Sequence, residues 1–279
     1  MTMTFRRNLT IVALLSAFGL LFVYPLVWLV SASFKPNAEV FSSLSLVPSS
    51  FVWDSYVNGW RGIGPNSFGT FFRNTLRLVV PVAALTVLSS TLVAYGFARF
   101  RFPLKRLLFA LMISTLMLPD AVVLIPRYIL FRDFGWLNTY LPFYIPALLA
   151  VNAFFIFLLV QFLRGIPREL DEAAVMDGCG SLGILIRVLA PLSLPALITA
   201  GLFQFIWTWN EFFNALIYIN SVSKFPVSLG LRLTLDNEGA VHWNQVMAMS
   251  VVAILPCVLV FLLAQRYFVE GISTTGLKG

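Results

Sequence analysis

Charge is what this sequence has least of. Asp, Glu, Lys and Arg make up 11% of its 279 residues, against roughly 25% in soluble domains. So few charged groups cannot cover a water-facing surface, which excludes an ordinary soluble fold. Cysteine is nearly absent: Cys179 lies in a polar connecting segment and Cys257 in an apolar run, so no structural disulfide is expected. The single histidine, His242, has no Cys or carboxylate at metal-ligand spacing, and no metal site is expected. No G-x-x-x-x-G-K-[ST] run occurs, so the chain lacks the phosphate-cradling loop of an ATPase. The few carboxylates form no catalytic pair or triad, and the chain reads as a non-enzyme carrying no cofactor of its own.

What it has is apolar length. Hydrophobic residues make up 59% of the chain and the mean hydropathy is +0.88. Several runs reach the roughly 20 residues that cross a bilayer core. The pattern predicts an all-α integral membrane protein, one domain over 1–279, with about six transmembrane helices at 9–30, 72–98, 107–130, 141–163, 191–219 and 245–264. The first run follows Arg6-Arg7 and resembles a secretory signal, but it is longer than a signal core of roughly 7–15 residues and reads as a retained span. Residues 32–71, with Phe51, Trp53, Tyr56 and Trp60, read as an external interfacial loop. Residues 220–245 read as a polar loop with Lys224, Arg232, Asp236 and Glu238.

The net charge of +7 does not point to nucleic acid. Its basic residues sit in short clusters between apolar runs instead of along one face. With both termini inside, inner segments hold eleven of the 19 Lys and Arg residues, among them Arg99, Arg101, Lys105, Arg106, Arg164, Arg168, Arg187 and Lys278. Outer segments hold eight over a greater length, so both termini are expected in the cytoplasm.

The longest polar interruption in the second half, 164–195, reads RGIPRELDEAAVMDGCGSLGILIRVLAPLSLP. Pro167 suits an early helix position, and Glu169, Asp171 and Glu172 suit a helix N-terminus. Ala173 and Ala174 are small and helix-forming, and Gly178 ends the helix by adopting left-handed angles. A second short run, Leu182 to Leu189, leads to Pro191. The expectation is a helix, a break and a second helix on the cytoplasmic surface. The letters Gly178-Cys179-Gly180-Ser181-Leu182-Gly183 match G-x-G-x-x-G, but no strand precedes them, so no dinucleotide site is expected.

The spacing of Glu172-Ala173-Ala174, Asp177-Gly178, Val188 and Pro191 resembles the EAA signature of permeases from binding-protein-dependent ABC importers. Pro191 to Leu197 and Trp209-Asn210-Glu211-Phe212 resemble the carbohydrate branch, the maltose-permease-G-like proteins. Weaker matches are Phe72-Arg73-Asn74-Thr75, Leu118-Pro119, Ile125-Pro126 and Phe268-Val269-Glu270-Gly271. Val188 and Ala190 stand where the family usually has isoleucine and leucine.

The resemblance implies a MetI-like permease fold in a bacterial or archaeal plasma membrane. It also implies a second permease subunit, two cytoplasmic ATPase subunits that bind ATP and Mg, and an external sugar-binding protein. Segment 167–189 would then be a coupling helix, with Glu172, Ala173, Ala174, Asp177, Gly178 and Pro191 as its docking residues.

Asp120 and Glu211 stand out because ionisable groups inside spans are rare and face a cavity or the bundle interior. Counted along straight helices, they lie roughly 20 and 30 Å from the cytoplasmic ends. They read either as a polar wall of a translocation path, with Trp209 stacking on sugar and Asn210 beside it, or as structural groups paired with arginine or backbone. The other reading of the whole chain is a self-sufficient secondary transporter. That class often shows doubled halves, and no internal repeat is visible here.

Overall fold

The structure is a computed structural model that describes residues 2–62, 64–235 and 241–276. Asp236, Glu238 and Lys278 lie outside the described residues. The elements are helical: α1 Thr2–Ser33, α2 Asp54–Arg61, α3 Phe68–Arg99, α4 Lys105–Thr115, α5 Asp120–Asp133, α6 Leu141–Leu148, α7 Ala153–Gly165, α8 Glu169–Met176 and α9 Ser181–Ile184. A π-helical turn, Leu185–Leu189, leads to α10 Ala190–Leu192, followed by α11 Leu194–Trp209, α12 Phe213–Tyr218, α13 Val227–Leu235 and α14 Trp243–Gly276. Four stretches are long and apolar enough to cross a membrane alone: Ile11–Ser33, Phe68–Arg99, Leu141–Gly165 and Trp243–Arg266.

The other two expected spans are bent. Instead of one helix over 107–130, α4 and α5 meet at 100°. Pro119 donates no hydrogen bond and disfavours helical angles at Leu118, and the helix breaks just ahead of it. The last turn of α4 tightens onto i−3 bonds, Met117 N to Ser114 O and Leu118 N to Thr115 O, and α5 restarts with Asp120 in its first turn. The fifth stretch is bent by 80° between Leu192 and Leu194, beside Pro191 and Pro195. It breaks again at Asn210, so 191–219 is not one helix. In the fourth stretch Ala150 takes φ 54°, and Asn152 restarts α7 by accepting from the Phe154 amide at 3.2 Å. Two expected loops also hold helices, α2 within 32–71 and α13 within 220–245.

The helices form two compact units, Met1–Phe71 with Gly230–Leu255, and Phe72–Leu229 with Pro256–Gly279. In the first, the chain after α1 folds back on itself. The Val52 amide donates to the Phe34 carbonyl, Ser55 Oγ donates to the Ser33 carbonyl at 2.8 Å, and buried Lys35 donates to the Ser43 carbonyl at 3.0 Å. Gly230 lies against the Phe71 ring, where a Cβ would fall 2.4 Å from a ring carbon.

In the second unit, one end of the bundle is tied by polar groups. Asn74 Nδ2 donates to the Ser223 carbonyl at 2.8 Å. Asn138 Nδ2 bonds Ser221 Oγ at 2.8 Å, and Tyr140 donates to the Lys224 carbonyl. Burial and the neighbouring Tyr144 push the Tyr140 phenol up to about 12, against the pull of Arg77. It therefore stays protonated as a donor. At the other end lies the main core: Ala94, Tyr95 and Ala98 of α3, Ile156, Leu159, Val160 and Leu163 of α7, and Ala174, Ile184, Leu185, Leu189 and Ala196. Its alanines let helix backbones approach closely, the usual contact where lipid removes the hydrophobic drive between helices.

Candidate functional site

The segment between α7 and α11 is a helical hairpin with one face in that core and one face outside. Its first helix, α8, carries Glu169, Asp171 and Glu172 in its opening turn, where negative charge opposes the positive helix end. Its stop is a Schellman motif. The Cys179 amide bonds the Ala174 carbonyl and the Gly178 amide bonds the Val175 carbonyl, both at 2.9 Å, which is the paired pattern that closes a helix. That closure needs a left-handed residue at Gly178, whose φ is +80°, with open space where a Cβ would stand. The G-x-G-x-x-G letters thus form this turn and the start of α9, between two helices.

The docking residues expected from sequence split between the two faces. Glu172, Ala173, Asp177 and Gly178 are exposed. Ala174 is buried in the chain's own core, so it does not share the outward face with Ala173. The paired alanines read from the sequence therefore point to different neighbours. Pro191 lies inside α10 and does not open the next long helix, which starts at Leu194 after the bend. The outward face is more apolar than its letters suggest: Met176 is 87% exposed, Leu182 64% and Val175 57%.

Three groups of α3 and one of the hairpin tie the buried face down. Arg99 Nε stands 2.7 Å from Asp171 Oδ2, and Arg99 Nη2 donates to the Ile166 carbonyl at 3.1 Å. Tyr95 Oη donates to the Ser181 carbonyl at 2.9 Å, and Arg168 Nη2 reaches the Ala98 carbonyl at 3.4 Å. From the letters alone Asp171 reads only as an N-terminal helix charge and Arg99 only as an inner basic residue, and nothing marks Tyr95. A long-range pair leaves no local periodic signal, and only the placement of Arg99 at the cytoplasmic end of a span hinted at it.

The substrate-path candidates fare differently from one another. Trp209 is 4% exposed, stacked on Phe205 at 5.5 Å and edge-on to Phe72 at 5.4 Å. Its indole packs against the chain's own phenylalanines. Asn210 is exposed but spends its amide on the Ile206 carbonyl at 2.8 Å. Glu211 accepts from the Asn214 amide at 3.0 Å, which caps α12 across the helix break. Asp120 is 98% exposed on its side chain and 3.9 Å from Arg127.

Distance counted along straight helices does not apply to either carboxylate, because a bend or break precedes each. The hollow beside α5, about 350 Å³, is lined by Leu124, Ile125, Tyr128 and Ile217 and is mostly apolar.

Comparison with known proteins matches this architecture. Residues 87–274 match the family described as binding-protein-dependent transport system inner membrane component. The chain is 33% identical over 256 residues to the probable ABC transporter permease protein YurM of Bacillus subtilis (strain 168), covering 92% of this chain and 84% of that protein. It is 32% identical over 260 residues to the arabinooligosaccharides transport system permease protein AraQ of Halalkalibacterium halodurans, covering 92% and 91%. It is 32% identical over 258 residues to the sn-glycerol-3-phosphate transport system permease protein UgpE of Yersinia pestis, covering 91% of each. A solved bacterial ABC transporter involved in the import of the acidic polysaccharide alginate has a chain that superposes with a TM-score of 0.81 at 26% identity, covering 94% of this chain and 96% of that one. The chain is a multi-pass membrane protein and belongs to the binding-protein-dependent transport family of inner membrane components.

Proposed function

We propose that this permease subunit forms half of a path for a sugar, a di- or oligosaccharide, with ATP and Mg bound by partner ATPase subunits and not by this chain. Its partners are a second permease, two cytoplasmic ATPase subunits and an external sugar-binding protein. The observation that carries the reading is the 169–187 hairpin. One face is fixed in the core and the other presents Met176, Leu182 and Val175 to the outside. Exposed apolar groups rimmed by Glu172 and Asp177 mark a protein-binding surface.

The sugar class is supported by relatives whose names specify arabinooligosaccharides and alginate. The orientation is supported by the polar ties. The end of α3 and the hairpin lie at one end of the second unit, and Asn74, Asn138 and Ser221 tie the other. With the hairpin facing the ATPase, Arg99, Arg164, Arg168 and Arg187 fall on the cytoplasmic side, and the distribution of Lys and Arg favours both termini there.

The test is a mild-detergent pull-down of the tagged chain from its native membrane, with bound proteins identified by mass. Recovery of a second multi-span protein and an ATPase, the ATPase lost with Met176→Asp, supports the proposal. A chain that comes out alone and moves solute in liposomes without ATP overturns it in favour of a secondary transporter.

A further inference from the structure

The hairpin has three attachments, and they are not alike. Towards α7 it is joined through Gly165-Ile166-Pro167, where the helix has ended. Towards α11 it is joined across the 80° bend at Ser193. Beside both covalent joints the contact is apolar, with Ile156, Leu159, Val160 and Leu163 of α7 and Ala196 of α11 in the shared core.

The third attachment, to α3, is not a joint. Tyr95 and Arg99 are four residues apart, hence on one face of α3. Between them they hold the start of the segment at the Ile166 carbonyl, the middle at Asp171 and the second helix at the Ser181 carbonyl. The Arg99 and Asp171 side chains are 7% and 18% exposed, so water does little to screen them. Asp171 Oδ1 and Arg99 Nε are both buried without a hydrogen bond among the described residues, so the two side chains are held together as a close ion pair. A buried ion pair with an unsatisfied oxygen is a poor way to gain stability. Holding position is the better account of it.

We propose that Arg99 and Asp171, seconded by Tyr95, are positioning residues that make α3 follow the coupling hairpin. The helix is 32 residues long, about 48 Å at 1.5 Å per residue. A displacement of the hairpin by its ATPase therefore reaches the far end of the bundle through α3. The proposal rests on the coupling role given to the hairpin above.

The experiment uses the full transporter reconstituted with its own ATPase and binding protein. It compares wild type with Asp171→Asn, Arg99→Met and the double variant. Three quantities are read: ATPase retained on purification, melting temperature, and substrate moved per ATP hydrolysed. Each single variant leaves one charge buried alone and is expected to melt lower. The double variant, neutral on both sides, is expected to melt near wild type, because the two sites are coupled. It is also expected to retain the ATPase yet move at least tenfold less substrate per ATP.

If the double variant recovers transport per ATP together with its melting temperature, the pair is structural only and the proposal is overturned. Unchanged transport per ATP in the single variants overturns it as well. A wild-type chain that holds no ATPase at all would instead sink the coupling role of the hairpin, a distinct outcome.

Discussion

Gly178 offers the sharpest perturbation of the docking surface, because its backbone and its surroundings make opposite demands. Its φ of +80° is costly for any residue with a Cβ, yet nothing stands within 4 Å of where that Cβ would be. A substitution there tests the backbone alone. Left-handed angles cost an ordinary residue about 1–2 kcal/mol, and asparagine or aspartate less. If the hairpin must hold its Schellman turn to be recognised, that cost appears as weaker ATPase capture. The expected loss is about 5- to 30-fold for Gly178→Val and at most a few-fold for Gly178→Asn. Gly178→Asp is expected to fall between, since it adds a negative charge beside Asp177 at the helix C-terminus. The assay is titration of the detergent-solubilised permease with purified ATPase, alongside a melting curve. The melting temperature is expected to fall by only a few degrees, because the strain is confined to one exposed turn outside the core. Equal weakening by Val and Asn, or none by either, would refute the reasoning.

Three further substitutions bear on other parts of the molecule. Met176→Asp places a charge on the most exposed apolar position of the hairpin and is expected to cut ATPase capture more than tenfold while the melting temperature holds. Trp209→Ala removes a ring enclosed by Phe205 and Phe72. It is expected to cost about 3–5 kcal/mol of stability, and a variant that melts normally but changes sugar selectivity would reverse that assignment. Gly230→Ala drives a methyl to 2.4 Å from the Phe71 ring and is expected to destabilise by about 1–3 kcal/mol, read as a lower melting temperature with ATPase capture kept.

The apolar runs are legible in the sequence because a bilayer demands length and composition, and both add up over a window. Direction does not add up in that way. The 100° turn between α4 and α5 depends on one residue, Pro119, and the 80° turn depends on the Pro191 and Pro195 neighbourhood of Ser193. A hydropathy window that spans these positions averages them away. Both prolines flanking Ser193, and Leu118-Pro119, are visible as letters. What they do depends on whether the bundle lets the helix turn, and proline inside a helix does not always end it: α3 runs on through Pro81 and α14 through Pro256.

The candidate site divides along the same line. Gly178 is readable because its reason is local: a helix must stop there, and glycine takes the angles that stop it. The fate of Ala174 is not, since whether an alanine faces a partner or its own core depends on α3 and α7, distant in sequence. The surroundings of Trp209 are equally invisible in the letters, since Phe205 and Phe72 come against the indole only in the folded bundle. The Arg99–Asp171 pair is the extreme case, an interaction between groups with no sequence relation. Its consequence is physical nonetheless. The hairpin shares apolar packing with α3, α7 and α11 alike. The four polar contacts to α3 come in addition, and they tie it to that helix in a more specific register than to the other two.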